Sequence, residues 1–253
     1  MPTAAGRTVS TSTVLLSLVL ALGAAIPAAA QEEDAEARRR AQQERLLNDW
    51  PNLERYREAN AALAPPAPGE DRVVFMGNSI TQGWAQHFDT MFPGMPYIGR
   101  GISGQTTPQM LVRFRQDVIE LDPAVVVILA GTNDIAGNTG PASEEMIQGN
   151  LASMAELARA NGIRVVLSSI LPASDYPWRP GLEPGPKIVR INEWLREYAR
   201  ENDFVYLDYH SAMADDALGL PPELAYDGVH PTEEGYRLMS RMVQEAIAEA
   251  LAR

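Results

Sequence analysis

The chain has 253 residues, with 33 acidic side chains against 21 basic ones, three histidines and no cysteine. A net charge of −12 disfavours nucleic acid and anionic membrane surfaces as partners. The lack of cysteine excludes disulfides, thiolate nucleophiles and Cys-based zinc sites, and the length allows one domain with an ample core.

The first thirty residues read as a targeting segment. Arg7 is the only charge, Val14 to Ile26 is an apolar run, and Ala28-Ala29-Ala30 fits a small-x-small cleavage site before Gln31. The run is short for a membrane span, and neither Ala30 nor Gln31 is a cysteine that could carry a lipid. The expectation is cleavage of residues 1–30 and a periplasmic or secreted product without a stable membrane anchor. Residues 31–69 follow as a charged segment: Gln31 to Gln43 with Arg38-Arg39-Arg40, then a helix, then Pro65-Pro66-Ala67-Pro68-Gly69 as a stiff linker. The helix opens near Asp49-Trp50-Pro51, carries Leu53, Tyr56, Ala59 and Leu63 at helical spacing, and is expected to pack on the domain that follows.

Residues 70–253 alternate strands and helices. Val73–Met76 and Tyr97–Ile98 are short strands, and Ala124–Ala130 is an unbroken β-branched run suited to a central parallel strand buried on both faces. Ile163–Ser168 and Phe204–Leu207 complete about five strands. Helices are predicted over 143–161, 186–202 and from Thr232 onward, the last with Thr232 as N-cap and Glu233 and Glu234 in its first turn. The alternation implies an α/β fold: a three-layer α/β/α sandwich around a central parallel sheet.

The polar residues that could do chemistry lie just past strand ends, where open α/β sheets bind ligands. Gly77-Asn78-Ser79 follows the first strand and Gly101-Ile102-Ser103-Gly104 the second. Gly131-Thr132-Asn133-Asp134 follows the central strand, and Asp227-Gly228-Val229-His230 precedes the last helix. A serine hydroxyl becomes a useful nucleophile only when an imidazole takes its proton, and that imidazole needs a carboxylate to fix its tautomer. Ser79, His230 and Asp227 supply the three. The α/β-hydrolase elbow Gly-x-Ser-x-Gly is ruled out, because Thr81 stands at its fifth position.

These four blocks, in this order, resemble the signature blocks of the SGNH (GDSL) serine hydrolases from Arg72 to the C-terminus. The resemblance implies the flavodoxin-like SGNH fold, Ser79 as nucleophile, His230 as general base and Asp227 as its orienting carboxylate. It further implies an oxyanion hole from the N–H groups of Ser79 and Gly104 and the amide of Asn133. The family's usual Gly-Asp-Ser is Gly-Asn-Ser here, a departure that removes no triad carboxylate and leaves Asn78 able to bond nearby backbone.

Other readings of the same residues stay in view. Ser79 alone could be an N-cap, and Asp134 reads as structural. His87 and His210 have no partners at suggestive spacing, and Asp208 lies too close to His210 to orient it. Trp84, beside the nucleophile turn, and Trp178, in the loop 171–184, are candidate substrate contacts as well as packing residues. Neither a metal nor a cofactor is expected. The leading expectation is an exported serine esterase acting on short acyl esters, acetyl above all, of a small molecule or carbohydrate. A lysophospholipase or thioesterase on longer chains, an O-acetyltransferase to a sugar hydroxyl, and a silent carbohydrate-binding module are the alternatives.

Overall fold

The computed structural model describes residues 47–253, together with Met1, 36, 37, 39–41, 43 and 44. The expected signal segment and the arginine run's Arg38 lie outside the described residues. The chain divides into two units, Met1–Glu44 and Arg45–Arg253. In the first, the described positions from 36 to 44 are helical, and Arg40 bonds Glu36 at 2.5 Å.

The second unit holds five parallel strands: β1 (Val73–Gly77), β2 (Tyr97–Gly101), β3 (Val125–Leu129), β4 (Arg164–Ser168) and β5 (Val205–Leu207). Their order is β2-β1-β3-β4-β5. The chain moves outward from β1 to β2, then crosses back to β3, so the topological switch falls between β1 and β3. Period-two alternation sends side chains to both faces of each strand. Val74, Met76, Val126, Ile128, Val165 and Leu167 join one core cluster, while Val73, Phe75, Val125, Val127, Val166 and Val205 join the other. That is the three-layer sandwich the alternation of elements implied.

The first face is covered by α4 (Thr107–Asp117), the single turn α5 (Thr132–Ile135), α6 (Glu144–Ala160) and α7 (Gly185–Glu201). The opposite face is covered by α2 (Ser79–Ala85), α3 (Phe88–Met91), α8 (Tyr209–Met213) and α9 (Glu233–Ala252). Helices α6 and α7 fall within a residue of their predicted ends, and α9 starts one residue past the predicted Thr232. The predicted N-cap Thr232 accepts from Gly235 N, and Ser143, at the predicted start of α6, caps that helix by accepting from Met146 N, at 3.2 Å each.

Two local differences have clear causes. Helix α4 was not anticipated, although Thr106 and Gln109 form a capping box and Pro108 sits in its first turn. The expected N-terminal helix is split: residues Leu53–Tyr56 wind as 3-10 helix before α1 (Arg57–Ala61). Asn52 has φ 57°, and the Asp49 carboxylate takes the N–H groups of Leu53 and Glu54. This stretch belongs to the same compact unit as the sheet.

Candidate active site

Strand β1 ends at Gly77, where an added Cβ would lie 2.0 Å from Thr81 Oγ1 and 2.9 Å from the Leu129 carbonyl. Only glycine lets the chain turn this tightly from strand into helix. Asn78 then caps α2, its Oδ1 accepting from Ile80 N at 3.0 Å. The residue that departs from the usual Gly-Asp-Ser therefore still performs a backbone-capping task. Ser79 stands at the first helical position, where its own N–H has no intrahelical acceptor.

Ser79 Oγ lies 2.9 Å from His230 Nε2, and His230 Nδ1 lies 2.7 Å from Asp227 Oδ2. These partners are 151 and 3 residues apart in sequence. The Asp227 loop is held by its own carboxylate, whose Oδ1 accepts from Val229 N at 3.0 Å and His230 N at 2.7 Å. An Asx-type turn thus seats the histidine on the acid that orients it. Burial alone would raise the Asp227 carboxyl, but the bonds from His230 N, the His230 ring and Val229 N outweigh it and hold the group below its usual range. An ionised carboxylate can only accept, so Nδ1 carries the ring proton and Nε2 is free to take one from serine.

The remaining two blocks meet beside this line. Gly104 has φ +78°, and Asn133 donates from Nδ2 to the Gln105 carbonyl at 2.9 Å. Gln105 is a hub: Arg113 Nε donates to its Oε1 at 2.6 Å, while its Nε2 donates to the Pro51 carbonyl at 2.6 Å. Arg113, fully buried, also bonds the Gly77 carbonyl at 3.0 Å and pairs with Asp117 at 3.0 Å. One guanidinium therefore ties the serine turn to the Gly104 loop. Asp134 faces the other way, accepting from Thr107 N at 2.9 Å and from Thr107 Oγ1 at 2.6 Å. Its bonds secure the start of α4.

With this geometry stands a likeness to known proteins. The profile of the GDSL-like lipase/acylhydrolase family matches residues 75–238. The chain belongs to that family. These are the SGNH hydrolases of the sequence reading, and membership places the chain among carboxylic-ester hydrolases. A GDSL-like lipase of Bacteroides thetaiotaomicron is 50% identical, with a TM-score of 0.77 over 80% of this chain and 100% of its own. An acetylxylan esterase of Xylanibacter ruminicola is 26% identical over 72% of this chain, which spans 44% of that longer protein. The esterase TesA of Pseudomonas aeruginosa is 29% identical over 64% of this chain and 77% of its own length.

The two tryptophans of this GDSL-type site separate. Trp84 is 1% exposed, packed among Phe75, Phe88 and Tyr236, with its indole donating to Ser240 Oγ at 3.1 Å. Its reading as a substrate contact is corrected to core packing. It lies five positions beyond Ser79, roughly 140° round a 3.6-residue helix, and so points toward the sheet when the serine faces the rim. Trp178 is 38% exposed, stacked on Tyr176, with its ring 6.2 Å from that of His230. Tyr226, 71% exposed, stacks on His230 at 5.8 Å and was not singled out from sequence. Asp208 bonds Ser211 and Arg196 rather than the His210 ring, and the His87 ring rests against Tyr236. Among the described residues no three His, Asp or Glu side chains converge as a metal site.

Proposed function

We propose that this chain is an exported serine esterase that removes short acyl groups, acetyl first, from carbohydrate esters. The observation that carries the reading is the unbroken line Ser79 Oγ, His230 Nε2, His230 Nδ1, Asp227 Oδ2 at 2.9 and 2.7 Å. As Ser79 Oγ attacks the ester carbonyl, its proton passes to His230 Nε2. The negative charge that develops on the carbonyl oxygen is met by the N–H groups of Ser79 and Gly104 and the Asn133 amide. Collapse expels the alcohol, which takes the proton from Nε2. Water then attacks the acyl-serine and gives its proton to the same nitrogen, and Ser79 leaves with that proton as the acid departs. Asp227 keeps the ring oriented and steadies the imidazolium.

The carbohydrate side is supported by the exposed rings of Trp178 and Tyr226 flanking His230, since flat aromatic faces suit the apolar faces of sugar rings. The likeness to an acetylxylan esterase supports the same reading. Export rests on the apolar run and Ala28-Ala29-Ala30 motif.

A p-nitrophenyl ester series from acetyl to long chains, run beside acetylated xylo-oligosaccharides, tests this. Turnover concentrated on acetyl esters is expected. Rates rising toward long chains would replace the reading with a lipid or thioester hydrolase, and acetyl appearing on an added sugar with a transferase. In Ser79→Ala, turnover should fall by roughly 10⁴-fold with the fold intact. A variant keeping a tenth of the activity would end the serine mechanism.

A further inference from the structure

The amide of Asn133 is nearly symmetric in shape and opposite in polarity at its two ends. Turned over, it would aim a carbonyl oxygen at the developing oxyanion and oppose the reaction it is proposed to assist. Something must set which way round it lies. Its Nδ2 donates to the Gln105 carbonyl at 2.9 Å, and its Oδ1 accepts from Asn138 Nδ2 at 3.0 Å.

The Gln105 carbonyl can only accept and so favours this sense at one end of the amide; at the other end Asn138 is itself an amide, whose own sense is set one residue outward. Asn138 Oδ1 accepts from the indole Nε1 of Trp178 at 3.1 Å, and its Nδ2 also donates to the Gly104 carbonyl at 3.2 Å. An indole N–H can only donate and a backbone carbonyl can only accept. Turning Asn138 over would set two donors against each other at Trp178, and oxygen against oxygen at both Gly104 and Asn133. The chain of polarity from Trp178 through Asn138 to Asn133 therefore has one consistent sense. One Asn133 N–H goes to Gln105, which leaves the second for the substrate oxygen.

We propose that Asn138 and Trp178 are positioning residues that orient the oxyanion donor. The inference rests on Asn133 having that role. Trp178 sits at the rim beside His230, so a group seated on its ring touches the first member of the relay, and recognition at the rim is joined to stabilisation of the transition state.

The test measures kcat and KM on p-nitrophenyl acetate, with melting curves, for Asn138→Ala, Trp178→Phe, Asn133→Ala and the double variant Asn133→Ala/Asn138→Ala. Trp178→Phe keeps an aromatic ring and loses only the N–H. Asn138→Ala should lower kcat about fivefold, the scale of one neutral hydrogen bond, with KM changed by less than about twofold. Trp178→Phe should move kcat in the same direction, also without a KM change. Because Asn138 acts through Asn133, its substitution should cost less than about twofold when Asn133 is already alanine. Equal losses in the two backgrounds, a change confined to KM, or wild-type kcat in either single variant would overturn the relay. If Asn133→Ala itself turns over at the wild-type rate, the oxyanion reading beneath it fails instead.

Discussion

Asn133 is the residue whose removal distinguishes chemistry from scaffolding. A donor aimed at charge that appears only in the transition state should affect kcat and leave KM alone. Asn133→Ala is expected to lower kcat by about 10²–10³, or about 2.7–4 kcal/mol, while Ser79 still reacts slowly with a fluorophosphonate. A near-normal kcat in folded protein would remove it from the site. Its neighbour Asp134 makes a different prediction. Burial raises its carboxyl from 3.8 to about 6, against the pull of the Thr107 hydroxyl and N–H. In the unfolded chain that proton is lost near pH 4, in the folded protein near pH 6. The stability Asp134 contributes is therefore full below pH 4 and lost as pH rises through 6, about 3 kcal/mol across that window. Asp134→Asn should flatten this part of the stability curve in denaturant titrations at pH 4 to 7. An unchanged difference between variant and wild type across that pH range would show that Asp134 titrates normally.

At the scale of elements, the segment ahead of β1 is bonded to the loop that carries Gly104. Three glutamines at the head and along the body of α4 reach across to its main chain: Gln105 to the Pro51 carbonyl, Gln109 to Trp50 and Gln116 to Leu53. Tyr56 Oη donates to the Gly101 carbonyl, and Arg100 lies over the Tyr56 ring at 4.7 Å. The strap thus holds both ends of the Gly104 loop. A chain starting at Glu70 should lose kcat by roughly ten- to a hundredfold against one starting at Arg45, even where it still folds, because small displacements of a reacting group cost that much. Equal kcat in the two would make the strap a matter of stability alone. Helix α9 offers a control away from the chemistry: Thr232→Ala should cost about 1 kcal/mol by denaturation through the lost cap, with little effect on kcat.

For the whole molecule, the sheet order decides where everything meets. The turns after β1 and β3 flank the switch point and carry Ser79 and Asn133, and the loop before α9 brings His230 back across 151 positions. The proposed export makes a further prediction: mass spectrometry of protein recovered from its native host should find Gln31, or its pyroglutamate form, at the N-terminus. An intact Met1 would count against cleavage. The α/β alternation, the buried central strand, the N-cap Thr232 and the Ser79, Asp227 and His230 blocks were all legible in the sequence. Each depends on local pattern: period two, period 3.6, a capping side chain, or a glycine at a tight turn. Tyr226, Gln105, Arg113 and Asn138 were not legible, and Trp84 was left between substrate contact and core packing. Their roles depend on which side chains become neighbours when distant segments pack, as when Arg113 of α4 reaches the Gly77 carbonyl 36 positions away. Spacing along a chain sets which face of an element a residue occupies, but only the packed sheet and its crossovers decide what that face meets.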